Sequence, residues 1–320
     1  MTNDPSALSA AIDRPTGRRR GDRVVGAGRA TQDVVEQAIA LARSEFPVLI
    51  TGPTGSGRQH LARTIHAWSS RANGPFITVS CGVVSKALLG RELFGCAAGA
   101  IASAPEESVG GLSRATGGTL LIEGIDRLTD APRDKLVTSL KDGRIQREGG
   151  GAAAPMRARV IATSVDMPAR SPFGDLPQEA VHLVSLSDRR EDILPLAAHF
   201  LRVFADEEGV EPVGFTSDAR SALLSEPWPG NVRELSSRIR QAIKLAGNGA
   251  ISAEALLLAT DGENVPSFKD AKRAFETRYV VGLLRRCDGN ISRAARLAKK
   301  DRKDFYDVIR RTGVNPADFR

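Results

Sequence analysis

The stretch Gly52-Pro53-Thr54-Gly55-Ser56-Gly57-Arg58-Gln59 decides the fold, because it joins an apolar run to an amphipathic segment. Residues 46–50 predict a short buried strand, and residues 59–69 predict a helix. Glycines between a strand and a helix let backbone N–H groups curl around phosphate oxygens, and the helix dipole favours the negative charge. The stretch matches the pattern G-x-x-x-x-G-K-[ST] except at its last two positions. The sequence therefore predicts a phosphate-binding loop.

Strands and helices alternate on both sides of this loop. A helix is predicted for residues 31–44, and apolar strands for 76–79, 119–122 and 159–163. Strands that are apolar on both faces and separated by helices indicate a parallel sheet covered on both sides. We therefore predict an α/β fold, followed from Glu191 by helices only, which form a helical lid.

Charge separates the end of the chain from the rest. Residues 269–320 contain 15 Lys and Arg against 7 Asp and Glu, a net charge of +8, whereas the whole chain carries +7. A compact basic segment is typical of a nucleic-acid-binding domain. The predicted segments are a disordered basic arm (1–22), the phosphate-loop α/β domain (23–184), a helical lid (185–262), a linker (263–268) and a basic all-helical domain (269–320).

Composition excludes several classes of protein. No apolar run approaches the roughly 20 residues that span a bilayer, and residues 1–10 lack the apolar core of a secretory signal. The three cysteines do not have metal-ligand spacing. We expect a cytoplasmic protein with reduced thiols and no membrane partner.

Two positions of the loop depart from the usual pattern. Arg58 keeps the positive charge of the usual lysine, but its planar guanidinium on a longer stem is not an equivalent group. Gln59 has no hydroxyl to offer Mg²⁺. We expect residues 52–59 to bind ATP or ADP, with hydrolysis weak or absent.

Such sites also need acidic residues at the end of a later strand, where one carboxylate holds Mg²⁺ and the next polarises water. Here the strand over 119–122 is followed by Glu123 and Gly124. Glu123 is a candidate nucleotide-binding residue, Mg²⁺ ligand and catalytic residue, whereas Gly124 has no side chain to activate water. Asp126 is either a substitute catalytic acid or, as we favour, a surface turn residue.

The basic domain has the pattern of three helices. Residues 271–286 are amphipathic, with one apolar face formed by Phe275, Tyr279, Leu283 and Leu284. Asn290 is placed to cap a helix over 291–297, and Asp301 to cap a last helix over 302–311. Three apolar residues are predicted to hold that helix on the core: Phe305, Val308 and Ile309.

The outward side of the last helix is the predicted contact with double-stranded DNA, since a recognition helix meets bases and phosphates near its N-terminus. The candidate DNA-binding residues are Arg293, Lys300, Arg302, Lys303, Tyr306 and Arg310. Such domains usually bind DNA as dimers. A basic three-helix bundle that binds a protein partner is the alternative.

Several motifs, in this order, resemble those of the AAA+ activators of sigma-54 RNA polymerase, and the resemblance covers roughly residues 24–320. They are Ile50-Thr-Gly-Pro-Thr-Gly-Ser-Gly57, Ala62-Arg-Thr-Ile-His66, Gly74-Pro-Phe76, Glu92-Leu-Phe-Gly95, Gly117-Gly-Thr-Leu120, Arg189-Arg-Glu-Asp-Ile193 and Trp228-Pro-Gly-Asn-Val-Arg-Glu-Leu235. The resemblance implies an AAA+ fold, a homo-oligomer (dimer or ring), and contact with RNA polymerase or its sigma factor. It also implies that Arg233 senses the nucleotide and that the chain ends in a Fis-type helix-turn-helix.

The chain departs from this family where the family hydrolyses ATP or contacts the sigma factor. Residues 99–104 read Gly-Ala-Ile-Ala-Ser-Ala, without the Phe and Thr of the family's Gly-Ala-Phe-Thr-Gly-Ala loop, and Ser103 stands in the second half of this stretch. Residues 173–178 contain no arginine to reach a neighbouring subunit's nucleotide, and Ser164 replaces an asparagine. These departures imply weak or absent ATPase activity and impaired sigma-54 engagement.

The preferred interpretation is a bacterial transcription regulator whose AAA+ domain assembles, binds ATP or ADP and positions the DNA-binding domain. The alternative is a functional ATP-hydrolysing activator in which Arg58, Glu123 and Asp126 support turnover. A non-catalytic subunit in a mixed ring with an intact paralogue also fits, as does a repressor that acts with the housekeeping polymerase. No sensory domain is expected, so the signal would come from a partner, from nucleotide or from expression level.

Overall fold

The computed structural model of the chain describes residues 24–100, 106–211, 214–258 and 268–319. The predicted arm over 1–22, the second half of the loop over 99–104 with Ser103, and residues 263–267 of the predicted linker lie outside these ranges. The chain divides into two compact units. One contains the residues up to 200 together with 223–236, and the other contains 201–222 and the residues from 237 onward.

The strands are β1 (Val48–Thr51), β2 (Phe76–Ser80), β3 (Gly95–Cys96), β4 (Ser108–Val109), β5 (Thr119–Glu123), β6 (Arg144–Ile145), β7 (Ala154–Pro155), β8 (Arg159–Ser164), β9 (Glu179–His182), β10 (Gly214–Phe215) and β11 (Ala250–Ile251). The α-helices are α1 (Arg29–Arg43), α2 (Arg58–Trp68), α3 (Leu89–Phe94), α4 (Gly111–Arg114), α5 (Asp130–Asp142), α6 (Ile193–Glu208), α7 (Ser217–Ser225), α8 (Asn231–Ala246), α9 (Ala253–Leu258), α10 (Phe268–Arg286), α11 (Ile291–Leu297) and α12 (Arg302–Thr312). Within the described ranges, no helix combines the length and the apolarity that crossing a bilayer requires.

The first unit is built on a five-stranded parallel sheet with the order β2-β5-β8-β1-β9. Successive residues of β5 belong to different apolar clusters, because Leu120 and Ile122 pack on one face of the sheet and Leu121 on the other. In β1 the same alternation separates Leu49 from Ile50. The predicted parallel sheet, covered on both faces, is confirmed.

The edge strand β9 is absent from the sequence prediction. It pairs with β1 through Ile50 and Val181, and Val181 is the buried residue of its four. A strand with one buried position shows no apolar run, so the pattern that predicts β1, β5 and β8 is missing here. The antiparallel pairs β3–β4 and β6–β7 have two residues in each strand, too few to show a period.

The helical lid is present, but the prediction of helices only after Glu191 is wrong in one detail. Strands β10 and β11 form a short parallel pair in which Phe215 lies opposite Ile251. Ile251 is fully buried, so the pair anchors the loop before α7 to the loop before α9. Helices α6 to α9 account for most of the remainder of this region.

Helices α10, α11 and α12 pack around an apolar cluster of the second unit, and the predicted helices are confirmed. Phe305, Val308 and Ile309 of α12 are buried in this cluster, as predicted. On α10 the prediction of the apolar face is wrong at Tyr279, which is 44% exposed, whereas Val280 is fully buried. Leu283 and Leu284 are buried as predicted, and Val280 and Cys287 complete the buried face at helical spacing. The side chain of Phe275 lies outside the described residues.

The two predicted caps behave differently. The side-chain oxygen of Asn290 accepts a hydrogen bond from the backbone N–H of Arg293 at 3.1 Å, so this cap is confirmed. Asp301 occupies the N-cap position of α12, but its side chain makes no capping hydrogen bond. The expectation that Asp301 caps the helix through its carboxylate is therefore wrong, although the helix begins where predicted.

This difference gives a prediction about helix stability. Asn290→Ala removes the capping bond and should destabilise α11 by about 1 kcal/mol, which makes its first amides exchange roughly fivefold faster. Asp301→Ala is the matched control, since it removes no capping bond and should accelerate exchange in α12 less. Amide hydrogen exchange of the full chain measures both helices, and equal acceleration in the two would contradict this assignment of the caps.

Candidate functional site

The phosphate loop connects the carboxyl end of β1 to the first turn of α2. Gly52, Gly55 and Gly57 have φ angles of 143°, 79° and 109°, which side chains strongly disfavour. Gly57 holds the N-cap position of α2, and no side chain caps the helix there. A helix that begins without a side-chain cap leaves its first N–H groups available to water or to an anionic ligand.

The motif of residues 228–235 binds the outer side of this loop. Asn231 donates from its side-chain nitrogen to the carbonyl of Thr54 at 2.9 Å and accepts the N–H of Leu186 at 2.7 Å. The backbone N–H of Arg233 donates to the carbonyl of Gly55 at 3.2 Å. This motif therefore fixes the position of the loop and places the Arg233 side chain at the site.

Two buried charged residues, Arg189 and Asp192, support the loop from the other direction. Arg189 donates to the carbonyl of Ser56 at 2.7 Å and to the hydroxyl of Thr31 at 3.2 Å. Asp192 is fully buried and accepts both the Thr31 hydroxyl and the N–H groups of residues 27 and 28. Burial lowers the pKa of Arg189, and the charge of Asp192 opposes that shift. These contacts tie the loop to the segment before α1.

Together these elements enclose a cleft of about 800 Å³ in the first unit, within the size range of small-molecule sites. One part of the lining is apolar and includes Val24, Val25, Val34, Leu196 and Phe200. The other part is polar and includes the loop, Glu123, Asp126, Arg127 and Arg233. The division suits a ligand with a flat apolar group and a polyanionic tail.

The structure brings most of the predicted cofactor-binding residues to this cleft. Residues 54–59, Glu123 and Arg233 line it, whereas Gly52 and Pro53 form the turn that leads into the loop. Arg127 and Arg189 also line the cleft and were not predicted. Nothing in the sequence shows the direction of Arg127, which depends on the 3-10 turn Ile125–Arg127 after β5.

The Arg58 side chain is bound to the ends of two strands of the sheet. Its Nη1 donates to the carbonyl of Gly52 at 2.7 Å and to the carbonyl of Ser164, at the ends of β1 and β8. Burial lowers the pKa of Arg58, while the negative charge of Asp126 acts in the opposite direction. The guanidinium is thus held at the carboxyl edge of the sheet by main-chain oxygens.

The acidic residues after β5 differ in their surroundings. Glu123 ends the strand and lines the cleft. Gly124 has a φ of 68° and donates its N–H to the Thr163 hydroxyl at 3.4 Å. Asp126 accepts a hydrogen bond from the Ser164 hydroxyl at 3.1 Å. Asp126 is an exposed turn residue, as favoured from the sequence, but that interpretation was incomplete because its carboxylate also lines the cleft.

A second candidate site lies on α11, α12 and the turn between them. All six predicted DNA-binding residues are exposed: Arg293, Lys300, Arg302, Lys303, Tyr306 and Arg310. Arg302, Tyr306 and Arg310 are four residues apart, so they share one side of the helix. Arg311 forms an ion pair of 3.8 Å with Glu276 of α10. The helix therefore presents a basic, tyrosine-containing stripe away from the apolar cluster.

Comparison with known proteins supports this description of the fold. The model of the sigma-54 interaction domain matches residues 24–174, and that of the AAA+ ATPase lid domain matches residues 187–271. The chain is similar to the transcriptional regulatory protein GlrR of Escherichia coli K12, with 32% identity over 335 residues that cover 99% of this chain and 76% of the relative. It is also similar to the Sigma54-dependent transcriptional activator SfnR of Pseudomonas putida, with 37% identity over 228 residues, 68% of this chain and 62% of the relative.

Solved structures of NtrX from Brucella abortus share the fold. The complex with ADP superposes with a TM-score of 0.66 at 26% identity and covers 92% of this chain and 70% of NtrX. The complex with ATP gives a TM-score of 0.66 at 26% identity, with coverage of 91% and 70%. The predicted AAA+ fold is confirmed.

The glycines of the loop give a prediction about stability. In Gly55→Ala the new Cβ would lie 2.2 Å from the carbonyl oxygen of Gly230, in a backbone conformation that alanine disfavours. We expect the free energy of unfolding of the first unit to fall by about 3 kcal/mol or more, because a steric clash adds to backbone strain. Gly57→Ala is the control, since open space surrounds its Cβ and strain alone should cost about 1–2 kcal/mol.

Tryptophan fluorescence during urea unfolding measures both variants. Trp68 and Trp228 are the two tryptophans of the chain, and both belong to the first unit. Equal losses in the two variants would mean that the approach of residue 230 to the loop does not restrict position 55.

Proposed function

The chain belongs to the family of AAA+ activators of sigma-54 RNA polymerase, and we propose that this member binds nucleotide and DNA while hydrolysing ATP weakly or not at all. It is a transcription regulator of this family. Nucleotide binding, DNA binding and the weakness of ATP hydrolysis are proposed from its own residues.

Nucleotide binding rests on the cleft of the first unit. The apolar part of the lining fits a base, and the uncapped start of α2 with the glycine loop fits its phosphates. Arg233 lies where its charge reaches the polar part of the cleft. NtrX, which shares the fold, has been crystallised with ADP and with ATP. We propose ATP or ADP as the ligand.

The position of Arg58 is the observation that carries the proposal of weak hydrolysis. In phosphate-loop enzymes a lysine at this position contacts the β- and γ-phosphates. Here the guanidinium is bonded to the carbonyls of Gly52 and Ser164. Gln59 offers no hydroxyl to Mg²⁺, and Gly124 has no carboxylate to orient water. The positive charge that hydrolysis requires at the phosphates is therefore displaced. The hydroxyl for Mg²⁺ and the carboxylate that orients water are missing at their usual positions.

Features outside the cleft support the same proposal. Phe173 is fully buried, and residues 173–178 carry no arginine to stabilise charge at a neighbour's γ-phosphate, a contribution that reaches several orders of magnitude in rate. Residues 99–104 lack the Phe and Thr of the family's sigma-contacting loop. We propose that the chain works in a homo-oligomer, or in a ring with an intact paralogue that supplies these groups.

DNA binding is assigned to α10, α11 and α12. The net charge of +8 over residues 269–320 and the exposed stripe of Arg302, Tyr306 and Arg310 support it. We propose that α12 enters the major groove of double-stranded DNA and that Arg293, Lys300 and Lys303 contact its phosphates.

A functional ATP-hydrolysing activator is the second candidate, and one observation favours it. The Asp126 carboxylate is oriented by the Ser164 hydroxyl and lines the cleft. An oriented carboxylate two residues beyond the usual position would act as the base that Gly124 cannot provide. In that case Glu123 would hold Mg²⁺.

Steady-state ATPase measurements, with and without DNA, separate the two candidates. We expect turnover of the purified chain to stay far below about one per second. Asp126→Asn should change nothing, because the residual rate does not depend on that carboxylate. Asp130→Asn, at an exposed position at the start of α5, is the control. Turnover near one per second that falls about a hundredfold in Asp126→Asn would sink the proposal and establish the activator.

Salt-dependent binding of labelled duplex DNA tests the second half of the proposal. Lys303→Ala should weaken binding and lower the slope of log K against log [salt] by about 1, because one phosphate contact is lost. Arg285→Ala removes the same charge from an exposed position of α10 and should leave the slope unchanged. Deletion of residues 269–320 should abolish binding. DNA affinity that survives the deletion would show that another part of the chain binds DNA.

A further inference from the structure

We propose that this chain binds its nucleotide as the free anion, without Mg²⁺, and that the Arg58 guanidinium takes the electrostatic place of the divalent ion. This inference rests on the proposed nucleotide binding and specifies the ionic form of the ligand. It concerns ADP or ATP that is not complexed with a metal.

The first argument is the fixed position of a positive charge at the carboxyl edge of the sheet. Two main-chain carbonyls, of Gly52 and Ser164, hold the Arg58 guanidinium there. Ser164 also donates its hydroxyl to Asp126 at 3.1 Å, so one residue contacts both the cation and the anion. The guanidinium therefore lies at the same edge of the sheet as Glu123, which ends β5, and Asp126, which follows it.

The second argument is that the remaining groups do not fit Mg²⁺. Mg²⁺ demands near-octahedral oxygen ligands, and in phosphate-loop proteins a loop hydroxyl and a carboxylate supply the protein's share. Gln59 replaces the hydroxyl, so Glu123 is the one member of that pair of Mg²⁺ ligands that remains.

The third argument concerns the balance of charge in the cleft. Among the charges that act on the Arg58 guanidinium, those of Asp126, Glu123 and Asp166 are attractive, and that of Arg233 is repulsive. The Arg58 guanidinium therefore already offsets part of the negative charge of Glu123 and Asp126, which would otherwise attract Mg²⁺. Arg127 and Arg233 also line the polar part of the cleft, and arginine suits phosphate oxygens through planar, paired hydrogen bonds. A free polyphosphate meets positive charge here without a metal.

Titration of the full chain with fluorescent ADP, once in EDTA and once in excess Mg²⁺, tests the inference. We expect the Kd in EDTA to equal that in Mg²⁺ within about threefold, or to be lower. A Kd that is about tenfold or more lower in Mg²⁺ overturns the inference and leaves the proposed nucleotide binding intact. If ADP binds neither in EDTA nor in Mg²⁺, this inference and the proposed nucleotide binding are both overturned.

Variants on α2 provide the matched comparison. The double variant Arg58→Lys with Gln59→Thr restores the usual pattern and should make ADP binding at least about tenfold tighter in Mg²⁺ than in EDTA. The guanidinium of Arg63 lies over the Phe76 ring at 4.8 Å, outside the cleft. Arg63→Lys makes the same type of change there and should keep the wild-type ratio of the Kd in EDTA to the Kd in Mg²⁺. If ADP binding by Arg63→Lys also became tighter in Mg²⁺ than in EDTA, the role assigned to Arg58 would be wrong.

The shift in melting temperature produced by unlabelled ADP gives a second readout that does not need the double variant to fold. The wild type should show equal shifts in EDTA and in Mg²⁺, since binding stabilises the native state by an amount set by the ratio of the ligand concentration to Kd. A shift that requires Mg²⁺ overturns the inference.

Discussion

The close approach of two backbone segments holds the cleft in shape. Gly55 of the loop lies so near to Gly230 that a methyl group does not fit between them, and Asn231 bridges the loop to Leu186 through its side-chain amide. These bonds use main-chain atoms and a single amide side chain. Because none of them involves the residues that depart from the family, the scaffold keeps its geometry while the chemistry of the site changes.

The departures in the cleft are physically connected. Arg58 reaches the carbonyl of Ser164, and the hydroxyl of the same residue orients Asp126. A serine at the end of β8 is small enough for both contacts and hydrogen-bonds with both its carbonyl and its side chain. The cation, the carboxylate and the serine therefore form one local arrangement.

Most of the sheet could be predicted from the sequence, because β1, β5 and β8 are buried on both faces and appear as apolar runs. The glycine loop could be placed for the same reason, since it lies between such a run and a helix. Edge strand β9 could not be predicted, because one buried residue gives no pattern. The directions of Asp126 and Arg127 depend on a 3-10 turn, and the face of α10 at Tyr279 depends on how its neighbours pack. Such features follow from tertiary contacts that no local pattern encodes.

The buried residues Arg189 and Asp192 connect two parts of the first unit that are distant in sequence. Asp192 accepts hydrogen bonds from the backbone N–H groups of residues 27 and 28. Arg189, three residues away, donates to the carbonyl of Ser56 in the loop. The short 3-10 turn Arg190–Asp192 thus links the backbone just before α1 to the phosphate loop. A substitution that removes either side chain would therefore free one of these two segments from the turn that they share.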